Sequence, residues 1–179
     1  MKLYFIALIP PPQIRVEVKG FKEEMKASYQ ASHALKSPAH ITLQMPFKKD
    51  EKEENKLVEG LAEWAAAQSS FSVRINGFDH FSDRVIYVRV EEHQPVIQLH
   101  HSLKKMLTLT FGFKAEELNK KMHPHMTIAT RDLKPEQFVQ AWQQFQNKKY
   151  EAQFDAHSIF LLKHNGKYWD IYREFTFGG

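Results

Sequence analysis

The chain contains no cysteine among its 179 residues, which excludes disulfide bonds, thiolate nucleophiles and thiolate zinc sites. This absence is typical of a reducing compartment, so we predict a cytoplasmic protein. Glycine and proline are few, with 7 and 8 residues, which excludes collagen-like repeats and extensive disorder. No stretch approaches the roughly 18 apolar residues of a membrane span. The short apolar run at the N-terminus leads directly into three prolines and lacks a cleavage site, so we expect no signal peptide and no membrane partner.

The rest of the composition is that of an ordinary globular protein, with 42% hydrophobic and 26% charged residues. A chain of this length forms one compact domain or two small lobes that share a core, and we predict a single domain over residues 1–179. The net charge of +4 permits an anionic partner without requiring one.

Hydrophobic periodicity predicts an α+β fold with seven or eight strands and four helices. The predicted strands cover residues 2–9, 40–47, 71–78, 85–90, 125–131, 158–164 and 167–177. The predicted helices begin near residues 12, 50, 95 and 134. Asn165-Gly166, between the last two strands, predicts a tight hairpin turn.

Two tripeptides of the same form, His40-Ile41-Thr42 and His125-Met126-Thr127, stand roughly half the chain apart. Each begins a predicted strand that is followed by an amphipathic helix, and this repetition predicts two similar α+β lobes that face each other. Side chains alternate along a strand, so the histidine and threonine of each tripeptide share a face. The faces predicted to be exposed are formed by His40, Thr42 and Gln44 in the first strand and by His125, Thr127 and Ala129 in the second. The residues predicted to face the core are Ile41, Leu43 and Met45 in the first strand and Met126 and Ile128 in the second. The same alternation places Arg131 on the polar face if the strand extends that far.

Two imidazoles and two hydroxyls at a shared cleft are suited to acid–base catalysis. One histidine can accept a proton from an attacking oxygen while the other donates a proton to the leaving oxygen, since both have ordinary pKa values near 6.5. The threonine hydroxyls and a nearby cation can stabilise the charge on phosphate oxygens in the transition state. This chemistry requires neither a metal nor a covalent enzyme intermediate. The competing interpretation is that both tripeptides are ordinary strand-edge residues.

Other polar and aromatic residues have structural alternatives. His123 and His125 could chelate a metal, but Pro124 lies between them and no carboxylate partner is evident, so we predict no metal site. His100 and the adjacent His101 point in different directions on a helix, and we expect both to be partly solvated.

Three aromatic residues are candidates for substrate contacts. Tyr87 shares a strand face with Arg89 and lines either the cleft or an ordinary sheet surface. Tyr168 and Trp169, in the last hairpin, could stack on a nucleobase.

The two tripeptides lie within longer matching segments. Ser37-Pro38-Ala39-His40-Ile41-Thr42-Leu43 and His123-Pro124-His125-Met126-Thr127-Ile128-Ala129, together with the first strand at residues 4–8, resemble the motifs of the two-histidine (2H) phosphoesterase superfamily. This superfamily includes 2′-5′ RNA ligase-like proteins and 2′,3′-cyclic nucleotide phosphodiesterases. The resemblance implies a bilobal fold of two antiparallel sheets around a water-filled cleft, with one His-x-Thr strand from each lobe.

The resemblance also implies which residues act. The catalytic residues would be His40, Thr42, His125 and Thr127. The substrate-binding candidates are Arg131, Tyr87 and Tyr168, which are suggested by strand alternation and aromatic character and not by the resemblance. One position departs from the family pattern: a basic residue often stands five positions after the second histidine, but here that position is Thr130, and Arg131 follows one position later.

The function that the resemblance implies is a metal-independent phosphoesterase without a cofactor. Its substrate would be RNA or a nucleotide with a 2′,3′-cyclic phosphate or a 2′-5′ linkage, and we expect a monomer. Two alternatives remain: the joining of RNA ends, which is the reverse of the same chemistry, and a non-catalytic protein that binds RNA or nucleotides in the same cleft.

Overall fold

Two four-stranded antiparallel sheets and four helices make up the computed structural model, which describes residues 1–118 and 121–179. The strands are β1 (Lys2–Leu8), β2 (Ile41–Lys49), β3 (Phe71–Phe81), β4 (Val85–Val90), β5 (His125–Ala129), β6 (Glu151–Ala156), β7 (Ser158–His164) and β8 (Trp169–Thr176). The helices are α1 (Pro12–Tyr29), α2 (Glu54–Ala66), α3 (Gln94–Phe111) and α4 (Pro135–Phe145). The predicted α+β class is confirmed.

Each sheet forms the centre of one lobe. The first sheet has the strand order β2-β1-β7-β8, and the second has the order β5-β4-β3-β6. Every neighbouring pair is antiparallel. The two His-x-Thr tripeptides therefore lie at corresponding places, each at an edge strand of its sheet. The predicted arrangement of two lobes is confirmed.

The two lobes are joined through their helices. The order β1-α1-β2-α2 recurs as β4-α3-β5-α4, and β1 pairs with β2 as β4 pairs with β5. Helix α1, however, contacts β5 of the second sheet, while α3 contacts β2 of the first. Because each half covers part of the other half's sheet, apolar residues of both sheets, such as Ile41 and Met126, belong to one buried cluster.

The predicted alternation holds at the start of β2 and then fails. Gln44, predicted to be exposed, is buried, and Met45, predicted to be buried, is exposed. The pairing of β2 with β1 shifts register twice, between Ile6 and Ala7 and between Tyr4 and Ile6, and each shift places an extra residue in β2. The first shift lies between Thr42 and Gln44, and it exchanges the two faces at Gln44. The buried Gln44 amide donates a hydrogen bond to the Glu117 carbonyl at 2.7 Å, which satisfies its polar group.

The second motif strand is shorter than predicted. β5 ends at Ala129, and Ala129, predicted to be exposed, is fully buried. A register shift between Ile86 and Tyr87 interrupts the pairing of β4 with β5, so the alternation does not continue to the end of the strand. Arg131 lies beyond the strand with a left-handed φ of 54°, and strand alternation therefore does not determine its position.

The last hairpin has a four-residue loop instead of the predicted tight turn. The Asn165 side-chain oxygen accepts hydrogen bonds from the backbone N–H groups of Lys167 and Tyr168. The Asn165 N–H donates to the Tyr168 carbonyl at 3.0 Å and closes the loop. This asparagine turn replaces the two-residue turn and moves the start of the last strand from Lys167 to Trp169.

The expected solvation of His100 is wrong. Its side chain is buried, with 3% exposed, and neither ring nitrogen has a hydrogen-bond partner in the part of the chain that the structure describes. His100 lies at helical spacing from the buried Val96, Leu103 and Leu107, so it belongs to the apolar face of α3. The neighbouring His101 is exposed, as expected.

Candidate active site

A cavity of about 770 Å³ opens where the two lobes meet, and both motifs line it. The structure brings His40 and Thr42 of the first motif together with His125 and Thr127 of the second. All four side chains are half-buried, so each contacts both the protein and the open space. The arrangement follows from the topology, because β2 and β5 are corresponding edge strands of the two sheets.

The two catalytic candidates are held by the same hydrogen bond. Nδ1 of His40 lies 2.7 Å from the Pro38 carbonyl, and Nδ1 of His125 lies 2.6 Å from the His123 carbonyl. A carbonyl oxygen only accepts hydrogen bonds, so each Nδ1 carries a proton and donates it. In the neutral ring Nε2 is then unprotonated, which is the form that acts as a base.

Aromatic rings pack against both imidazoles. The centroid of the Phe5 ring lies 4.9 Å from the centroid of the His40 ring. Phe5 also packs edge-on against Trp169, with 4.7 Å between the ring centroids. The Phe81 ring lies 4.9 Å from the His125 ring, nearly perpendicular to it. These apolar contacts exclude water from one side of each histidine and restrict its rotation.

Burial lowers the pKa of His40 to about 4, because the surroundings disfavour its charged form. The nearby Lys22 ammonium lowers this pKa further, and His125 adds a smaller effect of the same sign. The hydrogen bond to Pro38 acts in the opposite direction but does not compensate. His40 is therefore neutral at pH 7.

Burial also lowers the pKa of His125. Its hydrogen bond to the His123 carbonyl raises the pKa, whereas the neighbouring rings of His123 and His93 lower it. An anion bound between the two imidazoles would raise the pKa of both, because it favours their protonated forms.

The cavity is basic. Its described lining residues include Lys36, Lys121 and Arg131 and no aspartate or glutamate. Three more histidines, His33, His123 and His164, also line it. A cleft lined by one sign of charge attracts ions of the opposite sign, so this cavity favours anionic ligands.

Arg131 lines the cavity, although it lies outside the strand that was predicted to position it. The next residue, Asp132, accepts hydrogen bonds from the backbone N–H groups of Ser32 and His33 at 2.8 and 2.9 Å. These bonds fasten the turn after β5 to the segment that precedes the first motif. The turn thus holds Arg131 beside His33, whose pKa is lowered by burial and by the Arg131 charge.

The structure does not place Tyr87 on the cavity surface. Tyr87 is buried, with 2% exposed, because Phe81 covers its ring at 4.4 Å. Its hydroxyl lies 3.2 Å from Nε2 of His123, and its ring lies 5.0 Å from that of His125. Tyr87 therefore does not line the cavity, as a direct contact with substrate would require, and instead it packs behind the second motif.

Tyr168 is exposed but lines a neighbouring cavity, whereas Trp169 lines both that cavity and the central one.

The sequence did not single out Phe5, Phe81 or His164, which also line the central cavity. Phe5 lies in an apolar run that has no alternation, so no pattern indicated which of its side chains would face the site.

Metal ligation has no support in the geometry. Within residues 1–118 and 121–179, no three His, Asp or Glu side chains cluster so that they could hold a metal ion.

In the same part of the chain, no helix has the length and apolar character that crossing a membrane requires.

Comparison with known proteins identifies the family. The family model described as the 2′-5′ RNA ligase superfamily matches residues 10–167. The chain therefore belongs to the 2′-5′ RNA ligase superfamily, and its predicted resemblance to 2H phosphoesterases is confirmed.

Relatives and solved structures agree with this assignment. A Geobacillus kaustophilus protein named “Putative phosphoesterase” is 29% identical over 180 residues, covering 98% of this chain and 96% of its own. A Bacillus licheniformis protein with the same designation is 26% identical over 178 residues, covering 98% of both chains.

Among solved structures, a Thermus thermophilus protein has a TM-score of 0.72 at 18% identity, covering 100% of this chain and 99% of its own. Escherichia coli LigT, crystallised with 3′-AMP, has a TM-score of 0.68 at 14% identity over 99% of both chains. These structures share the fold, and the family supports an enzyme of the phosphoesterase or ligase type.

Proposed function

We propose that the protein is a metal-independent phosphoesterase that acts on a 2′,3′-cyclic phosphate or a 2′-5′ phosphodiester of RNA or nucleotides. The observation that carries the proposal is the matched pair of histidines. His40 and His125 each donate Nδ1–H to a backbone carbonyl, and both line a basic cavity whose described lining has no carboxylate. Such a pair suits proton transfer on either side of one phosphorus atom.

In the proposed reaction, Nε2 of one neutral histidine accepts a proton from water as the water oxygen bonds to phosphorus. The bond between phosphorus and the leaving ribose oxygen breaks, and the other histidine, protonated once the anionic phosphate is bound, donates its proton to that oxygen. A cyclic phosphate thus becomes a phosphomonoester beside a free hydroxyl. In the reverse direction, with an RNA hydroxyl as the group that is joined, the histidines exchange roles.

The remaining residues of the site are proposed to bind phosphate. The hydroxyls of Thr42 and Thr127 donate hydrogen bonds to its non-bridging oxygens, where charge increases in the transition state. The Arg131 guanidinium, which lines the same cavity, adds positive charge. Nucleotide substrates are supported by the structures of E. coli LigT with 3′-AMP and with ATP, which share this fold.

The test is turnover of a 2′,3′-cyclic nucleotide and of a 2′-5′-linked dinucleotide in the presence of EDTA, followed by phosphorus NMR. We expect hydrolysis of at least one of them at a rate that EDTA does not change, since protein side chains perform both proton transfers. When His40 or His125 is replaced by alanine, His101→Ala is the matched control, because His101 is an exposed histidine outside the cavity. Loss of activity on chelation would indicate a metallohydrolase. Tight binding without turnover would indicate a binding protein.

A further inference from the structure

A second cavity of about 440 Å³ adjoins the central one. The two cavities share Lys36, Ser37 and Trp169 as lining residues. One face of α1 forms a wall of the second cavity, and the segment before the first motif forms another. A ligand in the central cavity could therefore extend past Lys36 and Trp169 into the second.

The second cavity is also basic. Its described lining contains Arg15, Lys19, Lys22 and Lys36 and no aspartate or glutamate. Across residues 1–118 and 121–179, none of these four side chains forms an ion pair. Nε of Arg15 is buried without a hydrogen-bond partner in the described part of the chain.

Lys22 has a structural role in this wall. Its side chain is buried, with 2% exposed, and its ammonium donates a hydrogen bond to the Ser37 carbonyl at 2.9 Å. The bond connects α1 to the segment that separates the two cavities and leads to His40. The cations available to a ligand are therefore Arg15, Lys19 and Lys36.

An aromatic surface completes the second cavity. Tyr168 is 43% exposed and lines this cavity but not the central one, while Trp169 stands at the boundary between them. Exposed aromatic rings beside a row of cations are the combination that binds single-stranded nucleic acid, because bases stack on the rings and phosphates contact the cations. A free inorganic anion would use only the cations.

We propose that the second cavity binds the nucleotide that precedes the reactive end of an RNA strand, with its phosphate at Arg15 and Lys19 and its base on Tyr168. The inference rests on the proposed function, because the reactive phosphate must occupy the central cavity. It adds a substrate class: the preferred substrate is an oligonucleotide, whereas a mononucleotide fills only the central cavity.

The kinetic test compares a 2′,3′-cyclic mononucleotide with a trinucleotide that ends in the same cyclic nucleotide. We expect the parent protein to have a kcat/KM at least about 10-fold higher for the trinucleotide. Tyr168→Ala should lower the ratio of the two kcat/KM values by about 5-fold or more, towards 1, and Tyr168→Phe should largely restore it, since a phenyl ring also stacks. Lys19→Ala should lower this ratio too. Lys26→Ala is the matched control, because Lys26 is an exposed lysine on α1 outside the cavity, and the ratio should not change.

A binding measurement separates this inference from the proposed function. The probe is a trinucleotide with a 3′-phosphate, whose dissociation constant is measured at several salt concentrations. Lys19→Ala should weaken binding and reduce the slope of log K against log salt by about 0.7, the value for one phosphate contact on a single strand. Equal kcat/KM and equal affinity for mononucleotide and trinucleotide would overturn the second site while leaving the proposed function intact. Absence of hydrolysis together with binding that depends on Lys19 and Tyr168 would refute the proposed function and support the second site.

Discussion

At the scale of single residues, the site consists of two histidines held in the same way in different surroundings. His40 precedes β2 and His125 begins β5, yet each Nδ1 donates to the carbonyl of the residue two positions earlier. The sequence predicted both residues and their threonine neighbours from strand alternation. It could not predict the tautomer, because the carbonyl positions depend on how the chain bends before each strand.

The threonines provide the first prediction at this scale. Replacing Thr42 or Thr127 by valine keeps the shape and the β-branched side chain but removes the hydroxyl donor. We expect kcat to fall about 10- to 1000-fold for each variant, because in the proposed mechanism the lost hydrogen bond stabilises the transition state. Thr108→Val is the control, since Thr108 is exposed on α3 and lies outside the cavity. Full activity in both motif variants would show that the hydroxyls are structural.

At the scale of elements, β-bulges limit what alternation can predict. In β2 the alternation correctly assigns Ile41, Thr42 and Leu43, and it fails from Gln44 onward, where the register with β1 shifts. Each motif lies before the first register shift of its strand, so its His and Thr share a face as predicted. A bulge depends on the partner strand, which the sequence of one strand does not reveal.

Glu54 at the start of α2 joins three strands of the first sheet. Its carboxylate accepts hydrogen bonds from the hydroxyls of Tyr4 in β1 and Tyr172 in β8, and from the ammonium of Lys163 in β7. Burial alone would raise the pKa of Glu54, but these hydrogen bonds lower it to about 2. The cluster fixes α2 on the sheet that carries the first motif.

We therefore predict that Glu54→Gln lowers the free energy of unfolding by about 1–3 kcal/mol at pH 7, since it removes the charge that three donors share. The folded-state pKa lies below the ordinary value, so this stabilisation is present above about pH 4.5 and is lost as the pH falls towards 2. Urea unfolding at several pH values measures the difference. Glu59→Gln, an exposed position on the same helix, is the control and should change little. Equal destabilisation by both variants would contradict the role of Glu54.

At the scale of the whole molecule, the sequence predicted two similar lobes but not how they are joined. The repeated order of motif strand and helix indicated the duplication. The exchange of α1 and α3 between the sheets depends on tertiary packing, because an apolar helix face has no feature that specifies which of two similar sheets it covers. The same limit applies to Arg131, which reaches the site through the hydrogen bonds of Asp132 to a distant segment.

Because the site is built from both lobes, its two histidines should act as a unit. Replacing His40 or His125 by alanine should lower kcat by roughly 100-fold or more, through lost proton transfer. The double variant should be little slower than the slower single variant. Circular dichroism should show that each variant remains folded, because both side chains are only half-buried. Multiplication of the two single effects in the double variant would indicate independent roles.

The pH dependence of kcat/KM for hydrolysis of a 2′,3′-cyclic nucleotide tests the two-histidine account most directly. In the proposed mechanism the active form of the free enzyme has one histidine protonated and the other neutral, so the profile should be bell-shaped, with flanks that report the pKa values of the pair. Burial lowers the pKa of both His40 and His125, so the singly protonated pair is most abundant below pH 6.5, and the rate should fall as the pH rises above that value. On the acid side, the rate should fall as the pH approaches the His40 pKa of about 4. A profile that is flat from about pH 5 to about pH 9 would contradict the two-histidine mechanism.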